Sequence, residues 1–404
     1  MGLSLCLPPA APAVFPGENG QIAYVSGAGG PPNDDSSADV FILDGPGDAS
    51  PTKLTSAEGQ HRHPAWSPDL TAIAYARWLP NNEKIFIDVL SDPAVPQLRV
   101  GPHDSTVRDD RPAWSPDGTM IAYESEVTDG SGQMDIIVAN VAAGGFINLT
   151  ATPTFIEGKP VWSRDGETLY YSRRALPPAT DDDIVFEPAD NSGTPLLVTA
   201  SATAEYQPAL SPGNDAMCFT RGPFGSANAD VFTLQPVTLS GTENDLSDST
   251  VGAYNCAYSP EGDKIAYVEG VFTSGVLMYE NADDTGTATP LTPDVLQHFD
   301  GNPDWAPKEP AFCEGEPATI AGTDREDALR GTSGEDVIQG HGQADSIRAL
   351  AGEDLICGEG RGDVLKGGDG DDEIFGGGGN DVLNGGPGDD RCLGGPGRDV
   401  KKSC

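Results

Sequence analysis

The chain has 404 residues, enough for two unequal domains, and carries 63 Asp and Glu against 23 Lys and Arg, a formal net charge of −40. So acidic a surface repels phosphate backbones and anionic lipid, which argues against nucleic-acid binding and makes cations the expected company. No apolar run is long enough to span a bilayer, and the 51 Gly and 35 Pro predict many turns between short strands.

Residues 1–17 read as a leader remnant or a disordered start. The opening MGLSLCLPPAAPAVFPGENG has a short apolar stretch and an A-x-A step at Ala11, Pro12 and Ala13, as export leaders do. It lacks a basic n-region, and prolines interrupt it. Cys6 follows Leu5, which does not suit a lipid-attachment site.

From residue 18 to 309 the chain repeats. HPAWSPDLTAIAYAR from His63, RPAWSPDGTMIAYES from Arg111, KPVWSRDGETLYYSR from Lys159, QPALSPGNDAMCFTR from Gln207 and NCAYSPEGDKIAYVE from Asn255 align at a period of 48. Trp66, Trp114, Trp162, Leu210 and Tyr258 mark one strand, and Trp305 follows after 47 residues. Tyr75, Tyr123, Tyr171, Phe219 and Tyr267 mark the next strand, with an early copy at Tyr24. Between them Ser-Pro-Asp-Gly makes a tight turn, Pro presetting one φ and Gly taking the left-handed position. Leu70 stands where that Gly should be, so a looser hairpin is expected there. A third strand follows in ADVFIL, MDIIVA, DDIVFE and ADVFTL, and a shorter fourth ends near Leu54, Leu149 and Leu291. Four antiparallel strands per unit make a propeller blade. The first Tyr-type strand has no preceding partner and the last Trp-type strand has no follower. Joining them, Trp305 beside Ile22–Val25, closes a ring of six blades and removes an exposed sheet edge. The tryptophans are expected to pack blade on blade.

These x-P-x-W-S-P-D-G-x-x-I-A-Y units resemble the TolB-type, WD-like propeller repeat. The resemblance covers nearly three quarters of the chain and implies the fold. Its members include a periplasmic translocation component, propellers attached to serine peptidases and pectin-fragment lyases, so it leaves function open.

Catalytic motifs are scarce. There is no G-x-S-x-G elbow, P-loop, H-E-x-x-H or C-x-x-C, and the chain is expected not to be an enzyme. His61, His63 and His298 precede inner strands at the mouth of the propeller channel, where the lyase-like relatives hold a metal through His. Asp109, Arg111, Glu157, Lys159, Glu205 and Gln207 occupy comparable places and would complete a polar ring. The histidines are expected to be solvated mouth residues, a metal, sugar-acid or peptide site being the alternative. His103 and His341 fall in loops.

Of seven cysteines one lies in the leader, and the other six can pair in an oxidising compartment. Cys313, Cys357, Cys392 and Cys404 bracket the acidic tail, with Cys313–Cys357 and Cys392–Cys404 the expected bonds. Buried free thiols suit Cys218 and Cys256 better than they suit the tail set.

After a linker at 310–318, residues 319–404 repeat at nine. Asp327, Asp336, Asp345, Asp354, Asp363, Asp372, Asp381, Asp390 and Asp399 recur without a slip. Two residues on stand Leu329, Ile338, Ile347, Ile356, Leu365, Ile374 and Leu383, then Cys392 and Lys401. The pattern G-G-x-G-x-D-x-U-x, clearest in GGDGDDEIF and GGGGNDVLN, resembles the RTX or haemolysin-type calcium-binding nonapeptide. The resemblance implies a parallel β-roll with two repeats per turn and U inward. One apolar residue in nine gives too thin a core to offset chain entropy, and the aspartates crowd like charges. Calcium, taking six to eight oxygen ligands from Asp and glycine-loop carbonyls, resolves both difficulties. The expected ligands are Asp336, Asp345, Asp354, Asp363, Asp372, Asp381, Asp390 and Asp399, shared between repeats eighteen apart: Asp363 with Asp381, Asp372 with Asp390, Asp381 with Asp399. Asp327 and Lys401 are expected to cap. Without calcium the segment is a disordered Gly/Asp linker.

The reading is thus an all-β protein, a six-bladed propeller with a C-terminal parallel β-roll. It is expected to be secreted, to bind Ca2+, and to recognise a protein or cell-surface glycan through its propeller. A metal-assisted carbohydrate lyase and a TolB-like translocation component are the alternatives.

Overall fold

The computed structural model describes residues 19–27, 38–43, 51–55, 59–79, 82–90, 98–101, 107–126, 133–142, 144–176, 181–223, 226–247, 249–271, 274–285, 287–291, 303–307, 312–314, 316–322 and 326–404. The leader stretch, His103 and His298 lie outside them. No helix occurs among the described residues.

Six four-stranded antiparallel sheets form the propeller. The ring closes as the unmatched strands predict: Asp304–Pro307 pairs with Asn19–Gly27, Ile22 opposite Trp305 and Ala23 opposite Asp304. Each blade buries its second-strand aromatic, with Tyr75, Tyr123, Tyr171, Phe219 and Tyr267 at most 1% exposed. Two of the tryptophans hydrogen-bond one blade to the one before it. Trp114 Nε1 donates to the Ala65 carbonyl at 3.1 Å and Trp162 Nε1 to that of Ala113 at 3.0 Å.

Every complete inner strand carries the same fault. The register slips between Arg62 and Ala65, Asp110 and Ala113, Gly158 and Val161, Tyr206 and Ala209, and Tyr254 and Ala257. At each slip one non-glycine residue turns left-handed: His63, Arg111, Lys159, Gln207 and Asn255, with φ between 50° and 60°. A proline follows in four of the five. A bulge leaves one residue out of the ladder, so a proline with no N–H costs nothing there.

The hairpin at Leu70 is not looser than the others. Ser67 N donates to Ala72 O at 2.9 Å and Leu70 N to Ser67 O at 3.0 Å, matching Ser115 to Met120 and Gly118 to Ser115, both at 2.9 Å. Leu70 takes φ +56° where Gly118 takes +61°. The Asp69 carboxylate, accepting Thr71 N and the Ser67 hydroxyl, holds the turn without the glycine.

Residues 320–402 form a parallel β-solenoid of about four turns, in two five-stranded sheets. Ile320, Leu329, Ile338, Ile347, Ile356, Leu365, Ile374, Leu383 and Cys392 stack into one narrow core. Lys401, in the next inward register, donates from Nζ to Cys392 O at 3.0 Å and ends that core. Disulfides join Cys313 to Cys357 and Cys392 to Cys404. Cys218 and Cys256 are bonded as well, not free thiols: neighbouring blades bring two buried inner-face positions together.

Candidate metal-binding edges of the roll and the propeller mouth

Each nonapeptide turns a corner of the roll just before its strand, and the aspartate at the sixth position faces that corner. The backbone N–H of Asp327 donates to Asp345 Oδ1, and the bond repeats from Asp336 to Asp354, Asp345 to Asp363, Asp354 to Asp372, Asp363 to Asp381, Asp372 to Asp390 and Asp381 to Asp399, all at 2.8–3.1 Å. Two aspartate columns result, one along each edge, linked at eighteen residues. The structure therefore brings together all three expected pairs, and it continues the ladder through the glycine-poor early repeats. There His341, Leu350, Glu359 and Arg361 adopt positive φ of 71–90°; of the matching glycines in the later repeats, Gly377 and Gly395 lie at 84° and 82°, and Gly368, Gly386 and Gly379 at 122–154°.

One oxygen of each carboxylate is thus committed and the other is left. Oδ2 of Asp345, Asp354, Asp363, Asp372, Asp381 and Asp390 is buried with no hydrogen-bond partner. Asp336 differs, since its Oδ2 accepts Thr332 N at 2.7 Å. Burial pushes Asp345, Asp354 and Asp363 up to about 7, against the opposing effect of the backbone N–H each accepts. Six unsatisfied, desolvated carboxylate oxygens in register are costly as they stand.

The glycines complete the cradle. A Cβ built on Gly376 would fall 2.5 Å from Asp381 Oδ2 and 2.8 Å from Gly394 O; one on Gly340 would fall 2.6 Å from Asp345 Oδ2 and 3.0 Å from Gly358 O. Orphaned carboxylate oxygens thus lie beside carbonyl oxygens of the next turn, a hard donor set of the kind calcium takes. Among the described residues no three His, Cys, Asp or Glu side chains converge on a point that could hold a metal. A cation on these edges would draw much of its shell from backbone carbonyls.

At the propeller mouth most of the described residues of the expected solvated ring are buried, Arg111 and Lys159 being half-buried. His61, Asp109, Glu157 and Glu205 stand at equivalent places in successive blades and are 0–1% exposed. They sit at joints between blades, in the electrostatic reach of a charged residue near the start of the preceding blade's third strand. His61 Nδ1 lies 3.2 Å from Asp39 Oδ1. At the next joint the charges are exchanged, and Lys84 Nζ donates to Asp109 Oδ2 at 2.7 Å. At the third, burial pushes Glu157 up to about 8, Thr152 opposing and Asp135 adding to the rise. His63 is also buried, its Nδ1 2.6 Å from Asp110 Oδ1. Burial would raise Asp110, but the charge and hydrogen bond of His63 and the guanidiniums of Arg111 and Arg108 hold it well below the usual carboxylate range. Burial lowers Lys159 to about 8, and its Nζ lies 4.2 Å over the Tyr206 ring. The axial cavity behind these residues is about 180 Å3, walled by the repeated prolines and tryptophans.

The joints could have been sought in the sequence as polar residues recurring at 48, but their partners lie in a different blade. The unpartnered Oδ2 atoms had no sequence signal beyond the aspartate period.

Residues 14–309 match the TolB beta propeller domain, and residues 321–356 and 358–400 match the RTX calcium-binding nonapeptide repeat. No curated protein matches the chain. Among solved structures, TolB from Acinetobacter baumannii is 20% identical over 73% of this chain and 68% of its own, with a TM-score of 0.56. A putative TolB from Agrobacterium tumefaciens is 18% identical over 70% and 92%, TM-score 0.52. A chain of a nidogen/laminin complex is 11% identical over 72% and 100%, TM-score 0.53. At these identities the likeness is one of fold.

Proposed function

Because the chain belongs to the TolB β-propeller family and carries RTX calcium-binding repeats behind its propeller, we propose that it is a secreted calcium-binding protein whose tail folds on the ion and whose propeller is a non-catalytic platform for a protein or glycan partner. The observation that carries the reading is the row of six buried, partnerless Asp Oδ2 atoms beside glycine carbonyls. Asp345, Asp354, Asp363, Asp372, Asp381, Asp390 and Asp399, with those carbonyls, would hold the ions, and Asp336 is the least available because Thr332 already occupies its Oδ2. Bound calcium supplies positive charge that satisfies these oxygens and relieves the repulsion along each column. The chain's own part is to fix spacing: the U-residue stack and the Asp N–H ladder set successive carboxylates one turn apart.

Export is supported by three disulfides, which persist in oxidising compartments. Extracellular calcium modules bind at about 10⁻⁴–10⁻³ M, so such a tail orders outside a cell and not within one. A scaffold role for the propeller is supported by His61 and His63, both buried and facing carboxylates within blade joints. A TolB-like envelope role is the second reading, favoured by the family itself.

Far-UV circular dichroism of the full chain at neutral pH, with about 10⁻³ M calcium and then with excess chelator, tests the proposal. A large, reversible gain of β signal with calcium is expected, together with retained calcium by elemental analysis. Identical spectra and no retained metal would remove the reading.

A further inference from the structure

One face of the roll runs against the charge of the whole chain. The register pairs Arg330 with Arg348, Arg348 with Lys366, Lys366 with Asn384 and Asn384 with Lys402. These side chains form one column on neighbouring strands, about 4.8 Å apart. They point outward, because Leu329, Ile347, Leu365 and Leu383 immediately before them fill the core. Arg330, Arg348 and Lys402 are exposed and Lys366 is half-buried. Among the described residues none of the four cations has an acidic partner. The opposite sheet is built otherwise: there Arg391 pairs with Glu373 at 2.9 Å. Like charges directly opposite one another in a sheet are destabilising. A chain of net −40 that stacks four of its 23 basic residues in one column therefore holds a surface that gains from an anionic partner of matching repeat.

Beside the cations, on the same face, runs a second column of Ser346, Val364, Val382 and Val400, with Val364 38% and Val400 49% exposed. We infer that this face binds an extended acidic polysaccharide, its carboxylate or sulfate groups taken by the Arg–Lys column and its ring C–H faces lying on the valines. The inference rests on the calcium reading in one respect: the two aspartate columns flank this face, and with their charge bare they would repel the same ligand. Calcium neutralises the edges and leaves the basic column to act.

Other polyanions fit less well. Single-stranded nucleic acid is held by aromatic stacking as well as charge, and these two columns contain no aromatic residue. A duplex is read by an element that enters a groove, and this face is a flat sheet. A bilayer would need a protruding apolar segment with aromatic or long aliphatic residues, and valines between cations do not supply one.

The test uses the full chain and a galacturonate hexasaccharide, too short to gel with calcium, titrated by calorimetry at about 10⁻³ M calcium. Arg348→Gln/Lys366→Gln is compared with the charge-matched control Lys264→Gln/Arg391→Gln, and circular dichroism is recorded for each. Binding that weakens about tenfold or more in the column variant, with its calcium-induced spectrum unchanged and the control at wild-type affinity, supports the inference. Supporting binding also fades at high salt and is stronger than that of an oligodeoxynucleotide of equal charge. Equal affinity of the column variant and wild type, no binding by a calcium-ordered wild type, or equal binding of the oligonucleotide would overturn it. Should the tail prove equally ordered in chelator, the calcium reading falls, while the same comparison in chelator still decides the column's role.

Discussion

The carboxylate of Asp304 accepts the backbone N–H of Trp66 at 2.6 Å, across 238 residues of chain. The equivalent places in the other blades hold Ala65, Ala113, Val161, Ala209 and Ala257, none of which can make such a bond. The short closing strand is thus clasped on both sides, by sheet pairing to Asn19–Gly27 and by this bond to the next inner strand. Burial raises Asp304 to about 6, although the N–H groups of Trp66 and Trp305 pull it down. A folded-state value above the unfolded value of about 3.9 means that the stabilisation is complete at low pH and is lost as pH rises through 6. Asp304→Asn keeps an acceptor and cannot ionise. The melting temperature of the wild type relative to this variant should therefore fall between pH 4 and pH 7. A constant difference across that range would show that Asp304 does not titrate there.

The pair Lys84–Asp109 joins two blades with both side chains fully buried, and Ser125 donates to the second Asp109 oxygen at 2.6 Å. Removing one member of such a pair strands the other charge. Lys84→Met should cost about 3–5 kcal/mol in chemical denaturation. Lys84→Met/Asp109→Leu should recover most of that loss, because the stranded carboxylate is gone. If the double variant is no more stable than the single one, the pair is not what sets the cost.

Much of the fold was legible because periodicity survives the loss of any one residue. The 48-residue spacing from Trp66 to Tyr258 counted the blades, and the unmatched strands at Tyr24 and Trp305 required the closure that Ile22 and Trp305 make. The bulges were not read, although the proline after His63, Arg111, Lys159 and Gln207 marked them: a proline inside an apolar run reads as an interruption until the slipped register gives it a place. The joints were hidden for another reason. Asp39 with His61 and Lys84 with Asp109 do the same work with exchanged charge, so no single residue type recurs to be noticed. Leu70 misled in the opposite direction. A missing glycine suggested lost geometry, but the surrounding hydrogen bonds hold this residue left-handed, at φ 56°. In the tail the aspartate period located both edges, yet which oxygen of each carboxylate is left over depends on the ladder, which appears only in three dimensions.

Gly376 and Gly360 separate the calcium cradle from mere flexibility. A methyl at Gly376 would enter the space between Asp381 Oδ2 and Gly394 O, whereas at Gly360 its nearest neighbour is 3.6 Å away. Gly376→Ala should raise the calcium midpoint of tail ordering by about tenfold, the scale on which disturbed surroundings weaken a metal site. Gly360→Ala should leave the midpoint within about twofold, since glycine replacement by itself costs little where the backbone accommodates it. Calcium titrations followed by circular dichroism compare them, and equal midpoints would mean that the cradle is not where the ion sits.

Protons should do part of calcium's work. Burial raises Asp345, Asp354 and Asp363 to about 7, far above the unfolded value of about 3.9. Groups with raised folded-state values stabilise the fold fully at acid pH and withdraw that support as pH rises through about 7. In chelator the roll should therefore be more ordered at pH 5 than at pH 8, the carboxyls being neutral at the lower value. At pH 8 calcium should restore the order that deprotonation removed, and its midpoint should shift upward on acidification as protons compete for the same oxygens. The disulfides Cys313–Cys357 and Cys392–Cys404 must be intact throughout, because they restrict the unfolded chain in either condition. Tail ordering in chelator that increases from pH 5 to pH 8, or that does not change, would show that the buried aspartates do not control the fold through their charge.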